Sequence, residues 1–232
     1  MSTHMNARTD HAARSDDHVR RDVVAELAWD SRLSGAPVTV AVDDGIVTLT
    51  GVVECYAKKY AADEAAHRIA GVQDVANDLE VRVPYADVRS DTDIARAVRH
   101  ALEWDVMVPD ERIQSTVSDG FVTLDGTVDL LRQREDAAAA VRQLTGVRGV
   151  ANRIRVAPPT ITADDVEHTI QEVLARRAHR EASGIEVTVR DGVVSLAGPV
   201  RSWAERQAVL GAVGHARGIT AVDNRIRIDP YD

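Results

Sequence analysis

The feature that most constrains this chain is an Asp-Gly pair that occurs three times, each time followed by the same spacing of further residues. Six residues after the glycine of each pair stands a second glycine, twenty residues later a third, and after six more an asparagine. The pairs are Asp44-Gly45, Asp119-Gly120 and Asp191-Gly192, the second glycines are Gly51, Gly126 and Gly198, the third are Gly71, Gly146 and Gly218, and the asparagines are Asn77, Asn152 and Asn224. A gapless spacing that holds three times indicates three tandem copies of one structural unit.

Each copy begins with a predicted amphipathic helix. Ser15, Ser90 and Thr162 lie at the same repeat position, and each can cap a helix by accepting a hydrogen bond from the first turn. Acidic residues follow each cap and suit the helix dipole. The apolar residues that then recur at helical spacing are Val19, Val23 and Leu27, then Ile94, Val98, Ala101 and Leu102, then Val166, Ile170, Val173 and Leu174. Trp29 and Trp104 flank this stripe, so we expect both in the core.

Two strands joined by the Asp-Gly turn are predicted next. The segment before the turn alternates apolar with small or polar residues, as in residues 38–42. Asp-Gly favours a primed hairpin turn, which needs positive φ at both central residues. One face of the strand after the turn repeats as Val-x-Leu-x-Gly-x-Val in all three copies. We expect Gly51, Gly126 and Gly198 to lie on that face and to let a second helix approach closely.

An alanine-rich second helix and a final strand complete the unit. The Gly-Val or Gly-Ile step after that helix is expected to end it. The final strand has Asn77, Asn152 and Asn224 on its apolar face, where an amide must be hydrogen-bonded. Structural pairing with a nearby turn is the favoured role, with ligand binding as the alternative. The pattern predicts an α+β fold of three tandem α-β-β-α-β two-layer modules, each with two helices on one face of a small three-stranded sheet.

The same spacing sets the predicted boundaries. Residues 1–14 show no apolar periodicity and are expected to form a disordered tail. The modules are predicted at 15–83, 90–157 and 162–229, with linkers at 84–89 and 158–161. The second linker follows Ala157 with two prolines and is expected to be short, stiff and extended.

Composition and motifs exclude several classes of protein. The net charge of −9 disfavours nucleic acid as a partner, and the single cysteine, Cys55, excludes an intramolecular disulfide. No apolar run approaches the roughly 20 residues of a membrane-spanning helix, and the N-terminus has no apolar stretch typical of a signal peptide. We therefore expect a cytoplasmic protein. Nucleotide, metalloprotease and Cys-x-x-Cys motifs are absent and no histidine recurs between copies, so neither an enzyme nor a cofactor is expected.

The order of elements and motifs in each copy resembles the BON domain family, which is named after bacterial osmotically induced and nodulation proteins. The resemblance covers about residues 15–83, 90–157 and 162–229. It implies a non-enzymatic module that is linked to envelope maintenance and to osmotic or ionic stress, with phospholipid as a proposed ligand. Many members are exported, whereas this sequence shows no signal sequence, which favours an intracellular role.

Two sets of side chains are candidates for ligand binding. Arg153 and Arg155 in copy two, and Arg225 and Arg227 in copy three, are predicted on the outward face of the final strand. Paired guanidinium groups can hold a phosphate headgroup through two hydrogen bonds, although a solvated polar face is the simpler interpretation. The residues at one equivalent position near the start of the second helix are Tyr56, Leu131 and Trp203. These three are candidate contacts for lipid or a protein partner, with packing at the edge of the core as the favoured alternative.

Two functional hypotheses follow from these features. The first is a stress-associated binding and scaffold protein that contacts phospholipid headgroups or an envelope-linked partner, as a peripheral protein on the inner face of the membrane. The alternative is an intracellular protein that binds a monovalent cation such as potassium, or a small solute, through backbone carbonyls of its loops.

Overall fold

The computed structural model describes residues 15–157, 170, 185–216 and 218–229. The predictions for the N-terminal tail, for the linker at 158–161 and for most of the first helix of copy three concern residues outside these ranges.

Each copy has the predicted order of elements over the residues that are described. Copy one contains α1 (Asp16–Trp29), β1 (Val38–Asp43), β2 (Ile46–Val53), α2 (Tyr56–His67) and β3 (Asp74–Val81). Copy two contains α3 (Asp91–Trp104), β4 (Ile113–Ser118), β5 (Phe121–Val128), α4 (Leu131–Arg142), β6 (Gly149–Asn152) and β7 (Arg155–Val156). Copy three contains β8 (Glu186–Arg190), β9 (Val193–Val200), α5 (Trp203–Gly214) and β10 (Ala221–Ile228). Short 3-10 turns lie at Ser31–Leu33, Tyr85–Asp87 and Asp110–Arg112.

Each sheet has its second strand in the middle, flanked by an antiparallel first strand and a parallel final strand. Parallel neighbours need a crossover connection, which the second helix of each copy supplies. In copy two the final strand is divided into β6 and β7, both paired with β5. The prediction of three tandem α+β modules with small sheets is confirmed.

One face of each sheet carries the core. In β2, Val47 and Leu49 are fully buried, whereas Thr50 on the opposite face is exposed. Helix α1 packs against β1 and α2 against β3, and the two helices contact each other. The alternation of period two in the strands therefore separates a helix-covered face from a polar one, as predicted.

The hairpin turns have the predicted conformation. The two central residues have positive φ in every copy: 47° and 76° at Asp44 and Gly45, 51° and 77° at Asp119 and Gly120, and 50° and 77° at Asp191 and Gly192. Glycine adopts such angles without steric cost, and aspartate is among the few other residues that tolerate them.

The glycine in the middle strand has a different neighbour from the one predicted. A Cβ on Gly51 would lie 2.2 Å from the carbonyl oxygen of Pro37, and a Cβ on Gly126 would lie 2.3 Å from that of Arg112. Both partners are backbone just before the first strand, so the predicted approach of the second helix is wrong at these two positions. Gly198 shares the positive φ, at 136°.

The glycine after the second helix also has a role other than the one predicted. Helix α2 ends at His67, and Gly71 lies four residues further on, with φ at 95°. Gly146 lies at the same distance from the end of α4 at Arg142, with φ at 90°. These glycines therefore turn the chain toward the final strand and do not themselves end the helix.

The hydrophobic core is not divided equally among the copies. Copy one has its own cluster of buried side chains, whereas buried residues of copies two and three form one contiguous cluster that extends from Ile94 to Ile226. Tyr56 of copy one packs against both clusters. Only copy one therefore has a cluster of buried side chains of its own.

Candidate binding surface

The arginine pair of copy two lies on the exposed side of the final strand. Arg153 lies in the gap between β6 and β7, and Arg155 lies in β7. The buried Ile154 separates them, so both guanidinium groups extend away from the core. Neither arginine forms an ion pair with any residue that the structure describes, so copy two presents two cations without a described carboxylate partner.

The arginine pair of copy three differs from that of copy two. The Arg225 guanidinium pairs with Asp223 two residues earlier, with the Nη2 atom 2.7 Å from a carboxylate oxygen. The repeat spacing gives copy two Ala151 at the position of Asp223, so no such partner exists there. Arg227 is exposed. The strand face of copy three therefore carries less net positive charge than that of copy two.

The three candidates at the start of the second helix lie in packed surroundings. Leu131 is buried within the shared core of copies two and three. Tyr56 is half-buried and packs against the cores on both sides. Trp203 is half-buried, and its ring stacks on His67 of copy one with centroids 4.7 Å apart. These placements match the alternative of packing at the edge of a core.

Contacts between the second helices join the copies. The Arg142 guanidinium of α4 lies 3.7 Å from the centroid of the Tyr60 ring in α2, and the His67–Trp203 stack joins α2 to α5. Burial lowers the pKa of the His67 imidazole, against the opposing effect of Asp63 at 3.8 Å, and the charge of Arg206 lowers it further. The neutral form of His67 is therefore favoured at this stacked contact.

The largest exposed apolar side chains lie at the ends of the first helices. Trp29 is 86% exposed and Trp104 is 80% exposed, so the expectation that both lie in the core is wrong. Each is the last residue of its helix. In copy two, Val106 and Met107 are also exposed, at 96% and 61%. We call Trp104, Val106 and Met107 the apolar tip.

A cleft of about 430 Å³ lies between the end of copy one and the start of copy two, and three of the side chains that line it are arginines. Arg82 pairs with Glu80 at 3.1 Å, and Arg89 donates to two backbone carbonyls of the linker at 2.9 Å each. The third, Arg148, lies over the Phe121 ring. Each of these contacts lies within one copy or within the linker, so the arginines of the cleft are engaged locally.

The repeated asparagines are structural. Asn77 Nδ2 donates to the carbonyl of Lys59 at 2.9 Å, and Asn152 Nδ2 donates to the carbonyl of Arg134 at 2.7 Å. In all three copies the amide oxygen accepts from the backbone N–H two residues later, as Ile226 donates to Asn224. The amide joins the second helix to the final strand in copies one and two, where pairing with a turn had been predicted.

Two kinds of feature are absent from the residues that the structure describes. No helix there is both long and apolar enough to cross a membrane. The same residues contain no group of three or more His, Cys, Asp or Glu side chains placed to hold a metal ion.

Comparison with known proteins gives one family, one curated relative and similar solved structures. The family model described as BON domain matches residues 15–83, 90–158 and 162–230. Osmotically-inducible protein Y of Escherichia coli K12 is 29% identical over 144 residues, which are 60% of this chain and 72% of that protein. A structure of CdsD, a structural protein of the type III secretion system of Chlamydia trachomatis, is 15% identical, with 91% of this chain and 94% of that chain covered at a TM-score of 0.28. A second CdsD structure gives 14% identity and a TM-score of 0.26, with 90% of this chain and 98% of that chain covered.

Proposed function

The chain belongs to the BON domain family, and on that premise we propose that it is a non-enzymatic scaffold protein associated with osmotic stress, which contacts phospholipid headgroups. The osmotically inducible relative supports the link to osmotic stress. We propose that the chain acts as a peripheral protein on the cytoplasmic face of the inner membrane. The observation that carries the lipid contact is the apolar tip, which the fold leaves in solvent.

The chemistry of the apolar tip suits a membrane surface. Tryptophan is enriched at the boundary between headgroups and acyl chains, because its ring is apolar and its N–H can still reach a polar partner. Val106 and Met107 add apolar surface to the same loop. Arg112 at the end of this loop pairs with Asp129 at 2.8 Å, so the loop lies at the end of the sheet where β5 finishes. In the sheet, Arg155 of β7 lies beside Thr127 of β5 at that same end.

The net charge of the chain limits which of its side chains can drive binding to a membrane. The net charge of −9 opposes approach to an anionic membrane, so long-range attraction does not drive binding. Binding must then depend on local side chains, namely the apolar tip and the arginine pair of copy two. Charge-assisted hydrogen bonds from Arg153 and Arg155 to headgroup phosphate would add to the burial of the tip.

Vesicle flotation tests the tip with a matched control. We expect the double substitution Trp104→Ser and Met107→Ser to lower binding at least tenfold, because burying one large apolar side chain contributes roughly 1.5–3 kcal/mol. The control is Tyr85→Ser, which removes a 97% exposed aromatic ring from the first linker and should bind as the wild type does. Equal binding by the wild type and the tip variant, or no binding by the wild type, would contradict the proposal.

A second flotation experiment separates charge from insertion. Changing Arg153, Arg155, Arg225 and Arg227 together to Gln should weaken binding to vesicles that contain anionic lipid, and the loss should shrink as salt rises. Because Arg225 is already paired with Asp223, we expect the two arginines of copy two to account for most of the effect. A loss that is insensitive to salt would contradict the role of these charges. If the wild-type protein binds to no vesicle, calorimetry with potassium tests the alternative that the protein binds a cation.

A further inference from the structure

The last residues of the three second helices occupy one repeat position, and all three lie at contacts between copies. They are His67 of α2, Arg142 of α4 and Gly214 of α5. His67 stacks on Trp203 at the start of α5, and the Arg142 guanidinium lies over a tyrosine ring of α2. A Cβ on Gly214 would lie 4.0 Å from the Cβ of Arg132, the second residue of α4. Each second helix thus ends against another one, and the three contacts close a cycle through copies one, three and two.

Copy one is joined to copy three in this cycle without a shared core. The buried side chains of copies two and three form one cluster, whereas those of copy one form another. Among the described residues, the imidazole of His67 and the indole of Trp203 connect copies one and three directly, with ring centroids 4.7 Å apart and ring planes within 8° of parallel. A contact of this kind can open while the core of each copy stays folded.

Three charged side chains surround the His67 imidazole where it meets Trp203. Asp63, one turn earlier on α2, has a carboxylate oxygen 3.8 Å from the His67 Nε2, and Asp74 of β3 adds a second negative charge from copy one. The positive charge is Arg206 of α5, whose guanidinium carbon lies 5.0 Å from the centroid of the Trp203 ring. The Arg206 Nε is buried and has no hydrogen-bond partner among the described residues. Copy three thus contributes an apolar ring and a cation to this contact.

A cavity of about 630 Å³ lies beside the contact. The other titratable side chains that line it belong to copy one, and they are Arg32, Tyr60, Glu64 and Arg68. Arg32 binds Glu64 at 2.8 Å, and Arg68 binds Glu26 at 2.9 Å, so both arginines are paired within copy one. The side chain of His67 remains 17% exposed, so a proton from solvent can reach it.

We propose that the contact of His67 with Trp203 is an acid-sensitive joint, which holds copy one against copy three while the imidazole is neutral and opens when it is protonated. Protonation would place a second cation on an indole that Arg206 already approaches, in a partly buried site that disfavours charge. The inference concerns the contact between copies and does not depend on lipid binding.

The direction of the pH dependence follows from what copy three adds to the site. Burial is the largest effect that lowers the pKa of His67, the Trp203 ring supplies part of that burial, and the charge of Arg206 lowers the pKa further. Asp63 and Asp74 raise this pKa, but they belong to copy one and act in the open state as well. The docked state therefore binds fewer protons than the open state. The joint is strongest above the ordinary histidine pKa of about 6.5 and weakens as pH falls below it, about tenfold for each unit by which docking lowers the pKa.

NMR spectroscopy of the full chain between about pH 5 and about pH 8 tests the joint. The ring carbon signals of His67 report its protonation, and the indole N–H signal of Trp203 reports docking. We expect His67 to titrate below its ordinary pKa and the Trp203 signal to move with the same midpoint, while the indole signals of the exposed Trp29 and Trp104 stay in place. X-ray scattering over the same range should show a larger radius of gyration at the acid end.

Three variants separate the proton on His67 from other causes. His67→Gln keeps a planar polar side chain that cannot be protonated in this range, so the acid response of the Trp203 signal should vanish. Arg206→Gln removes the cation that copy three contributes and should raise the pKa of His67. Asp63→Asn is the control for the neighbouring carboxylate, and it should shift the response to lower pH, because Asp63 raises the pKa of His67.

Four results would overturn the proposal. They are an acid response that survives in His67→Gln, a pKa of His67 that is unchanged in Arg206→Gln, a response that moves to higher pH in Asp63→Asn, and a radius of gyration that does not change with pH in the wild type. The third result would show that the carboxylate of Asp63, whose pKa is raised by burial, is the group that titrates.

Discussion

Replacing Gly126 by alanine is expected to destabilise the protein by about 3 kcal/mol, although the substitution adds a single methyl group. The new Cβ would lie 2.3 Å from the carbonyl oxygen of Arg112 and 3.1 Å from the Cα of Ile113, and both neighbours are backbone that cannot rotate away. The φ angle of 153° adds strain for any residue with a Cβ. Separation of β4 from β5 would relieve the clash, but it would also break the hairpin hydrogen bonds.

Gly211 supplies the matched control for this substitution. It lies within α5, where a Cβ would meet no atom within 4 Å, and its backbone is helical. Gly211→Ala should therefore be neutral or stabilising by up to about 1 kcal/mol, since alanine favours helix over glycine. The two variants are compared by urea unfolding of the whole chain. A similar small effect in both would show that the approach of Arg112 to Gly126 is not a constraint on the fold.

The sequence predicted those parts of the fold that depend on local patterns. The turn at Asp44 and Gly45 was predicted because only a few residues tolerate positive φ, and this restriction belongs to the residue itself. The buried faces of the strands followed from their alternation. In contrast, the neighbour of Gly51 was wrongly predicted, because strand parity shows which face a residue lies on but not which segment passes above it. Pro37 reaches Gly51 through the pairing of β1 with β2.

The exposed tryptophans show that helical periodicity does not predict burial at the end of a helix. Trp29 and Trp104 lie next to the apolar stripe, and in the middle of a helix that position is commonly buried. Both are the last residue of their helix, and both are exposed. Their position directly before a break in the helical pattern was the available signal. A side chain at a helix end can be buried only if another segment covers it.

The carboxylate of Asp16 accepts hydrogen bonds from the backbone N–H groups of Asp44 and Gly45, both at 3.0 Å, and the sequence analysis missed this contact for a different reason. Acidic residues in the first turn also interact favourably with the helix dipole, so the aspartates already had a sufficient explanation. The informative signal was the comparison among copies, in which Asp16 and Asp91 align with Ala163. Contacts between copies, such as Tyr60 with Arg142, could not be predicted, because a repeat pattern describes one module and contains no information about how modules pack.

Copies two and three are expected to unfold as one cooperative unit, and copy two alone should be markedly less stable. Their buried side chains form one contiguous cluster, in which Leu131 of α4 and Val209 of α5 both take part. A module of about 70 residues is marginally stable by itself, so the loss of apolar contacts along one side has a large effect. We expect residues 90–157 to unfold at least 10 °C below residues 90–229, which corresponds to about 2 kcal/mol for a domain of this size.

Copy one provides the internal comparison for this experiment, because its core is a separate cluster. Among the described residues, its contacts with the other copies include Tyr56, the Tyr60–Arg142 pair and the His67–Trp203 stack, whereas its buried apolar side chains form a cluster of their own. Residues 15–83 should therefore retain more of their stability when excised than residues 90–157 do. Calorimetry of the intact chain should resolve a transition for copy one from a second transition for copies two and three. A single transition in the whole chain, with equal losses in both excised modules, would show that the core is continuous through all three copies.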